Sequence, residues 1–406
     1  MKSTLRYMPI LAGALALAGW SGVAEAQSVL NMGGSSAARN MMAELPLQLC
    51  DAGQVSRKFT DATGNRINWA CNRGGAPIEV RYSASNSITG LRGADGVTTI
   101  QYLDNTTAGC TTGPVQTVGG KQFTTTTCPD GTNLTAPEPM HLGVSDVQAS
   151  SFGQVGPLGT AQPDYVFANG TINPVRTMVV PFSIYLGAGV TKIGGGQVEN
   201  LSRLEVEQLF GRNITDWGQL GFTPGPVQIC ARTAGSGTFA ALDQTLLINT
   251  THTPIASTAA GAEVTFNPST SGVISCLAAR PRAIAYMDAD QIRAFLPGGS
   301  NPGAAYAVAV DGGRANDTTL ADRKRDLKCG KYAYWTYLQF FPRIIAPVPP
   351  QPLTNDFISI AQSAASVPLL PPAVSAFWAA DEDMFVSKNA DAGPLQWKAG
   401  AHPQCQ

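Results

Sequence analysis

The sequence is short of charge. Asp, Glu, Lys and Arg make up 14% of its 406 residues and the formal net charge is -1. A nucleic-acid partner would need a basic face that this composition does not supply. Any anion the chain holds must be met by local donors, because no general positive field exists to attract it. Histidine is scarcer still: His141, His252 and His402 lie far apart, so a metal site or a histidine-centred catalytic apparatus is poorly supplied, and no metal or other cofactor is expected. No C-x-x-C pair occurs, which argues against zinc and redox roles. Beyond the first 26 residues no segment reads as a transmembrane helix, and membrane insertion is not expected.

The first 26 residues are a different matter. Met-Lys-Ser-Thr-Leu-Arg is followed by an apolar run from Met8 to Trp20 and then by Ala24-Glu25-Ala26, the pattern of a secretory signal cleaved after Ala26. No cysteine follows the cleavage point, so lipid attachment there is not expected. The mature product is expected in the periplasm or outside the cell. Eight cysteines in an exported chain read as disulfides. Many pairings are open to eight cysteines. Pairing in chain order is the expectation (50–71, 110–128, 230–276 and 329–405), because Cys110 and Cys128 bracket one Thr/Gly-rich stretch and Cys230 and Cys276 fall in one region.

The chemistry lies in turns that follow strands. Val227 to Ala231 alternates like a strand, breaks at Arg232, and passes through Gly235-Ser236-Gly237-Thr238 into a helix with Phe239, Leu242 and Leu246 on one face. Glycines admit a ligand close to the backbone, helix-terminal amides and the Ser236 and Thr238 hydroxyls donate, and Arg232 adds a charge suited to an oxyanion. Taken alone, this is also what an ordinary N-capped turn looks like. The design recurs, however. Strand Val29 to Met32 leads into Gly33-Gly34-Ser35-Ser36 and a helix through Leu49, and strand Ile78 to Tyr82 leads into Ser83-Ala84-Ser85-Asn86-Ser87 and a helix from about Ile88. Leu142-Gly143-Val144-Ser145-Asp146 places a carboxylate after a short apolar run. Such a carboxylate repels an anion unless the anion brings a proton, as monohydrogen phosphate does and sulfate does not.

In this order the segments resemble the phosphate-binding protein of the phosphate ABC transporter. In that family a Gly-Ala-Gly-Ala-Thr-Phe-like turn comes first, then Ser-Ser-Gly-Gly, Gly-Ala-Ser-Asp and Arg-x-Asp-Gly-Ser-Gly-Thr. Met178 to Leu186 followed by Gly187-Ala188-Gly189 resembles the family's crossing strand. Leu201 to Trp217 resembles its helix with a Phe-x-Gly-x-Ile-x-x-Trp ending, and Ala283-Ile284-Ala285-Tyr286 its return segment. The resemblance spans residues 29 to about 345. It implies a type II periplasmic-binding-protein fold, α/β, with two discontinuous domains joined by a two-strand hinge. Domain one would be 27–177 and 288–406, and domain two 178–287. It implies inorganic phosphate, or a similar oxyanion, as ligand, an ABC permease as partner, and a binding protein rather than an enzyme. Carried over by position, the ligand-binding residues are Ser36, Ser87, Asp146, Arg232, Ser236, Gly237 and Thr238. Ser35 stands as the alternative to Ser36, since the register of that loop is open by one residue.

The sequence departs from the family in four ways. Ala234 stands where the family has an Asp that orients the arginine, and Ala37 where it has an aromatic residue. Residues 92–140 form an insertion, expected as a disulfide-closed β-hairpin. The tail beyond Pro342 is long, with Pro347-Val348-Pro349-Pro350-Gln351-Pro352 and then a helical pattern around Phe357, Ile360 and Ala361, expected to pack as a cover on domain one. Two other readings stay open: a secreted or surface binding protein of this fold for another oxyanion or a different ligand, and, remotely, a hydrolase using Ser236. The hydrolase reading lacks the G-x-S-x-G spacing and a histidine nearby in the sequence.

Overall fold

The computed structural model describes residues 27–155, 161–247, 263–347, 349–400 and 402–405. The expected leader with its cleavage point, and His252, lie outside them. A 15-stranded sheet runs through the described chain in the order Val264–Asn267, Gln228–Arg232, Ala283–Asp288, Val175–Gly187, Trp335–Pro342, Leu142–Ser145, Ser28–Gly34, Ala76–Ala84, Arg66–Arg73, Val55–Asp61, Lys121–Cys128 and Thr111–Val118. Three strands lie off this path: Ala305–Val310 and Ala379–Ala380 pair with Val175–Gly187, and Asn200–Leu201 pairs with Ala305–Val310. Two blocks within it are parallel. One holds Val264–Asn267, Gln228–Arg232 and Ala283–Asp288; the other holds Leu142–Ser145, Ser28–Gly34 and Ala76–Ala84. Parallel strands are covered on both faces and so read as near-continuous apolar runs, and Ala283–Asp288 is buried at every residue.

The antiparallel pair Val175–Gly187 and Trp335–Pro342 joins the blocks. Val175–Gly187 is long enough to serve both: Val175 to Pro181 pairs with Trp335–Pro342, and Phe182 to Leu186 with Ala283–Asp288. Its Val, Ile, Phe and Tyr side chains suit a buried strand, and the segment from Thr177 to Gly187 is buried throughout.

Helices follow their local signals. Ser202 and Glu205 form the capping box that opens Arg203–Phe210, whose Val206, Leu209 and Phe210 are buried. Asn86 caps Ser87–Ala94, and Ser236 caps Gly237–Leu242. The expected helix through Leu49 is broken instead into Arg39–Met42 and a 3-10 turn Leu45–Leu49, because Pro46 has no N–H to continue an α-helix.

The insertion contains the expected hairpin, Thr111–Val118 with Lys121–Cys128, closed at its base by Cys110–Cys128. It docks on the sheet edge through parallel pairing of Lys121–Cys128 with Val55–Asp61. All four disulfides follow chain order: 50–71, 110–128, 230–276 and 329–405. The tail forms the helix Gln351–Gln362, which buries Leu353, Phe357 and Ala361, with Phe357 stacked on Phe340 at 5.7 Å. It packs against Ser28–Gly34 and Val175–Gly187. Among the described residues no helix is long and apolar enough to cross a membrane.

Candidate functional site

Close packing at glycines brings the first three turns together. Gly34, with φ +129°, ends its strand in a conformation that side-chain-bearing residues rarely adopt. The chain then turns so that Ser35 N donates to Val144 O at 2.9 Å. Gly90 on the helix Ser87–Ala94 and Gly143 on the strand Leu142–Ser145 lie so close that a side chain on either would collide with the other segment's backbone. That contact seats the start of the helix on the end of the strand, which puts Ser35, Ser87 and Asp146 side by side.

Asp146 is 1% exposed. Its Oδ1 accepts from the Ser35 hydroxyl. Its Oδ2 accepts from Ser87 Oγ at 3.3 Å, and Asp146 N donates to the same Oγ at 3.2 Å. Burial pushes the Asp146 carboxyl up to about 6, against the lowering effect of the Ser35 hydroxyl, the Arg232 guanidinium and Ser87, with Asp391 adding a further push upward. The site is therefore built around a carboxylate that holds a proton more readily than an ordinary Asp.

Arg232 ends the strand Gln228–Arg232 in the other block and is also 1% exposed. One terminal nitrogen donates to Thr270 Oγ1 at 3.1 Å and the other to Pro268 O at 3.2 Å; its backbone N–H donates to the Tyr286 hydroxyl at 2.9 Å. Burial lowers its proton affinity, while Tyr286, Asp288 and Asp146 raise it. The carboxylate missing at Ala234 is thus replaced in space by a hydroxyl and a carbonyl from the Pro268–Thr270 turn. Nε of Arg232 and Oγ1 of Thr238 are buried with no hydrogen-bond partner in the protein.

The two blocks meet across these side chains. Ser36 Oγ and Thr270 Oγ1 are 3.3 Å apart, and Ile88 N donates to Gly235 O at 3.2 Å. Gly237 sits against Ser87 and Asp146, with room for nothing larger: a Cβ there would lie 2.7 Å from Asp146 Oδ2. Ser236 spends its hydroxyl on its own helix, accepting from Phe239 N at 3.4 Å. Further out, Asn40 Nδ2 donates to Asp290 Oδ2 at 3.0 Å, and Arg293 donates to Asn40 Oδ1 at 3.0 Å. Burial holds Asp288 well above the usual carboxylate range, helped by neighbouring Asp290 and Asp146.

All seven residues expected from the sequence, Ser36, Ser87, Asp146, Arg232, Ser236, Gly237 and Thr238, lie in or beside this buried cluster. Of the alternatives in the first turn, Ser35 bonds Asp146 and Ser36 faces Thr270, so both belong to it. Thr270 was not anticipated. Its signal was present: strand Val264–Asn267 passes through Pro268-Ser269 into the helix Thr270–Ala279, with Ser269 accepting from Gly272 N at 3.1 Å, a fourth unit of the same design. Tyr82, whose hydroxyl donates to Ser35 O, and Tyr286 also went unassigned. Among the described residues no cluster of three or more His, Cys, Asp or Glu could hold a metal.

No protein-family model and no curated protein matches this sequence. Among solved structures, the chain is similar to a putative phosphate ABC transporter substrate-binding protein with bound phosphate from Clostridium perfringens. The TM-score is 0.50 at 11% identity, over 84% of this chain and 96% of that one. It is also similar to an ABC-type phosphate transport receptor from Vibrio cholerae, with a TM-score of 0.42, 12% identity, and 84% and 96% of the two chains covered. A phosphate-binding protein from Stenotrophomonas maltophilia gives 0.45 and 14%, with 84% of each chain covered. The first likeness bears out the fold class expected from the sequence, an α/β fold of the periplasmic-binding-protein type.

Proposed function

We propose that the chain is a non-enzymatic extracytoplasmic solute-binding protein that holds inorganic phosphate between two domains and delivers it to an ABC permease. The observation that carries this reading is the pairing of a buried guanidinium, whose Nε lacks a protein partner, with a buried carboxylate whose pKa is raised to about 6. Buried donors need acceptors. An oxyanion would satisfy Arg232 Nε, Thr238 Oγ1 and the first amides after Ser236, while its own proton would bond to Asp146. Ser35, Ser36, Ser87 and Thr270 would supply the remaining hydroxyl contacts. The Clostridium perfringens protein, which shares the fold, carries phosphate, and the turns of this chain match that ligand chemistry.

The domains we propose are 27–177 with 288–406, and 178–287. Pairing of Ala305–Val310 with Ile184 to Gly187 favours adding that strand to the second. The carboxyl ends of the two parallel blocks then face each other across the ligand, where open α/β sheets bind. Use of Ser236 as a helix cap supports binding over serine-based hydrolysis. Calorimetric titration of the mature protein with phosphate, sulfate, arsenate and nitrate tests the proposal: phosphate is expected to bind and sulfate to be rejected. Absence of phosphate binding, or a preference for sulfate, would overturn it.

A further inference from the structure

Asp391 lies 245 residues beyond Asp146 in the chain and is 4% exposed. Its Oδ2 accepts from Gln148 N at 2.6 Å and from Ser151 Oγ at 2.7 Å. Both donors belong to the loop that begins at Asp146. A carboxylate is costly to bury unless hydrogen bonds satisfy it, and here the bonds that do so come from that loop. Burial raises the Asp391 carboxyl, opposed by these two donors and by Lys388 and Arg176.

The chain on either side of Asp391 is fastened to the body. Arg176 donates to Lys388 O at 2.9 Å and to Asn389 O at 2.7 Å, and Gln148 Nε2 donates to Asn389 O at 3.2 Å. Lys388 Nζ is buried beneath the Trp335 ring, 4.4 Å from its centre, and donates to Ala333 O at 2.7 Å and Trp335 O at 2.8 Å. Cys329–Cys405 anchors the end. From the other block, Gln244 Nε2 reaches Ser151 O at 3.4 Å. The loop is gripped on one side by the tail and touched on the other by the second block.

We propose that residues 386–397 act as a strap that holds the Asp146 loop, and that Asp391 is a positioning residue for the anion site. The part that concerns the anion rests on the reading of Asp146 given above. Arg232, Asp288, Asp391 and Tyr82 are the charged or titratable groups that act on Asp146, and Lys388, Arg176 and Asp146 those that act on Asp391.

The test uses the full mature chain with Asp391→Ala and Asp391→Asn, read by phosphate titration between pH 5 and 8 and by hydrogen exchange over residues 146–152. Asp391→Ala is expected to weaken phosphate binding at least tenfold and to deprotect the loop amides without added phosphate. Asp391→Asn keeps one acceptor for Gln148 N but removes the charge. It is expected to retain most of the affinity while moving the pH midpoint of binding downward, a shift that a merely structural role would not produce. Unchanged affinity, midpoint and exchange in both variants would overturn the proposal while leaving the phosphate reading intact. Should wild type fail to bind phosphate, the reading under Proposed function falls, and exchange alone decides the strap: unchanged protection in Asp391→Ala would overturn it.

Discussion

Replacing Asp146 with Asn tests the carboxylate's role in binding and its effect on stability in one protein. The carboxyl is raised by burial from an ordinary 3.8 to about 6. At about 1.4 kcal/mol per unit, ionised Asp146 opposes folding by at most about 3 kcal/mol, less where Asp288 and Asp391 share the charge. The sign follows from the upward shift: the associated stability is fully present below about pH 4 and is lost as pH rises through about 6. Asn cannot ionise, so Asp146→Asn is expected to melt higher than wild type at pH 8 without phosphate, with the gap narrowing to roughly half by pH 5 and closing only below about pH 4. Binding should move the other way. The carboxylate only accepts, and a bond from the phosphate proton to it is worth roughly 1.5 to 3 kcal/mol. Asn can donate and therefore tolerates sulfate. The phosphate-to-sulfate preference should fall roughly 10- to 150-fold on the same principle. Competition calorimetry with both anions, paired with thermal melts from pH 5 to 8, measures both halves. An unchanged preference would remove Asp146 from the site, and an unchanged melting profile would refute the burial argument.

Arg232→Ala removes a charge-assisted partner from a desolvated site, at roughly 2 to 5 kcal/mol. Phosphate affinity should fall at least about 30-fold by calorimetry, and normal affinity in the folded variant would discard the assignment. Thr270→Val deletes the hydroxyl that meets both Arg232 and Ser36; a loss of roughly 1 to 3 kcal/mol in binding is expected, and no loss would mean that Pro268 O alone orients the guanidinium. Gly237→Ala puts a methyl group against Ser87 and Asp146, while Ala favours the helix. Phosphate binding should drop more than tenfold and the melting temperature should fall with it, whereas wild-type binding would show that these faces do not meet in the bound state. Removing Cys110–Cys128 with paired Ser substitutions should cost roughly 2 to 4 kcal/mol of stability and leave phosphate titration unchanged, since the hairpin docks on the far sheet edge. Ellman titration of the denatured, unreduced wild type should find no free thiol.

Local features of the fold were legible because their physics is local. The Ser202–Glu205 capping box needs only four residues, and the hairpin between Cys110 and Cys128 needs only its own turn and β-formers. The strands Val55–Asp61 and Arg66–Arg73 escaped because they carry Arg and Lys on a half-exposed surface, and their partners are set by distance in space. Val55–Asp61 pairs in parallel with Lys121–Cys128 across the Cys50–Cys71 and Cys110–Cys128 loops. No periodicity in either segment reports that pairing.

The candidate site divides along the same line. Groups presented by strand-to-helix turns were readable, since strand, Ser/Gly turn and helix start lie within a dozen residues of one another. Even there, the register between Ser35 and Ser36 depended on where Gly34 turns. The groups that orient this set are remote. Ala234 read as a loss, because the carboxylate that would brace the arginine in the resembling family is absent two residues on. The fold supplies the brace from position 270 instead, where the hydroxyl of Thr270 both accepts from Arg232 and meets Ser36 of the opposite block. On the proposed reading, a neutral hydroxyl in that place adds no negative charge beside the anion, so Arg232 would keep its full charge for the ligand while giving up a fixed ion-pair partner. Introducing Asp at Ala234 should then stabilise the guanidinium but weaken phosphate binding through added repulsion, opposite to the gain expected if Arg232 were short of a partner. Calorimetry on Ala234→Asp decides between them, and tighter phosphate binding would refute the view that Thr270 has taken over the carboxylate's work.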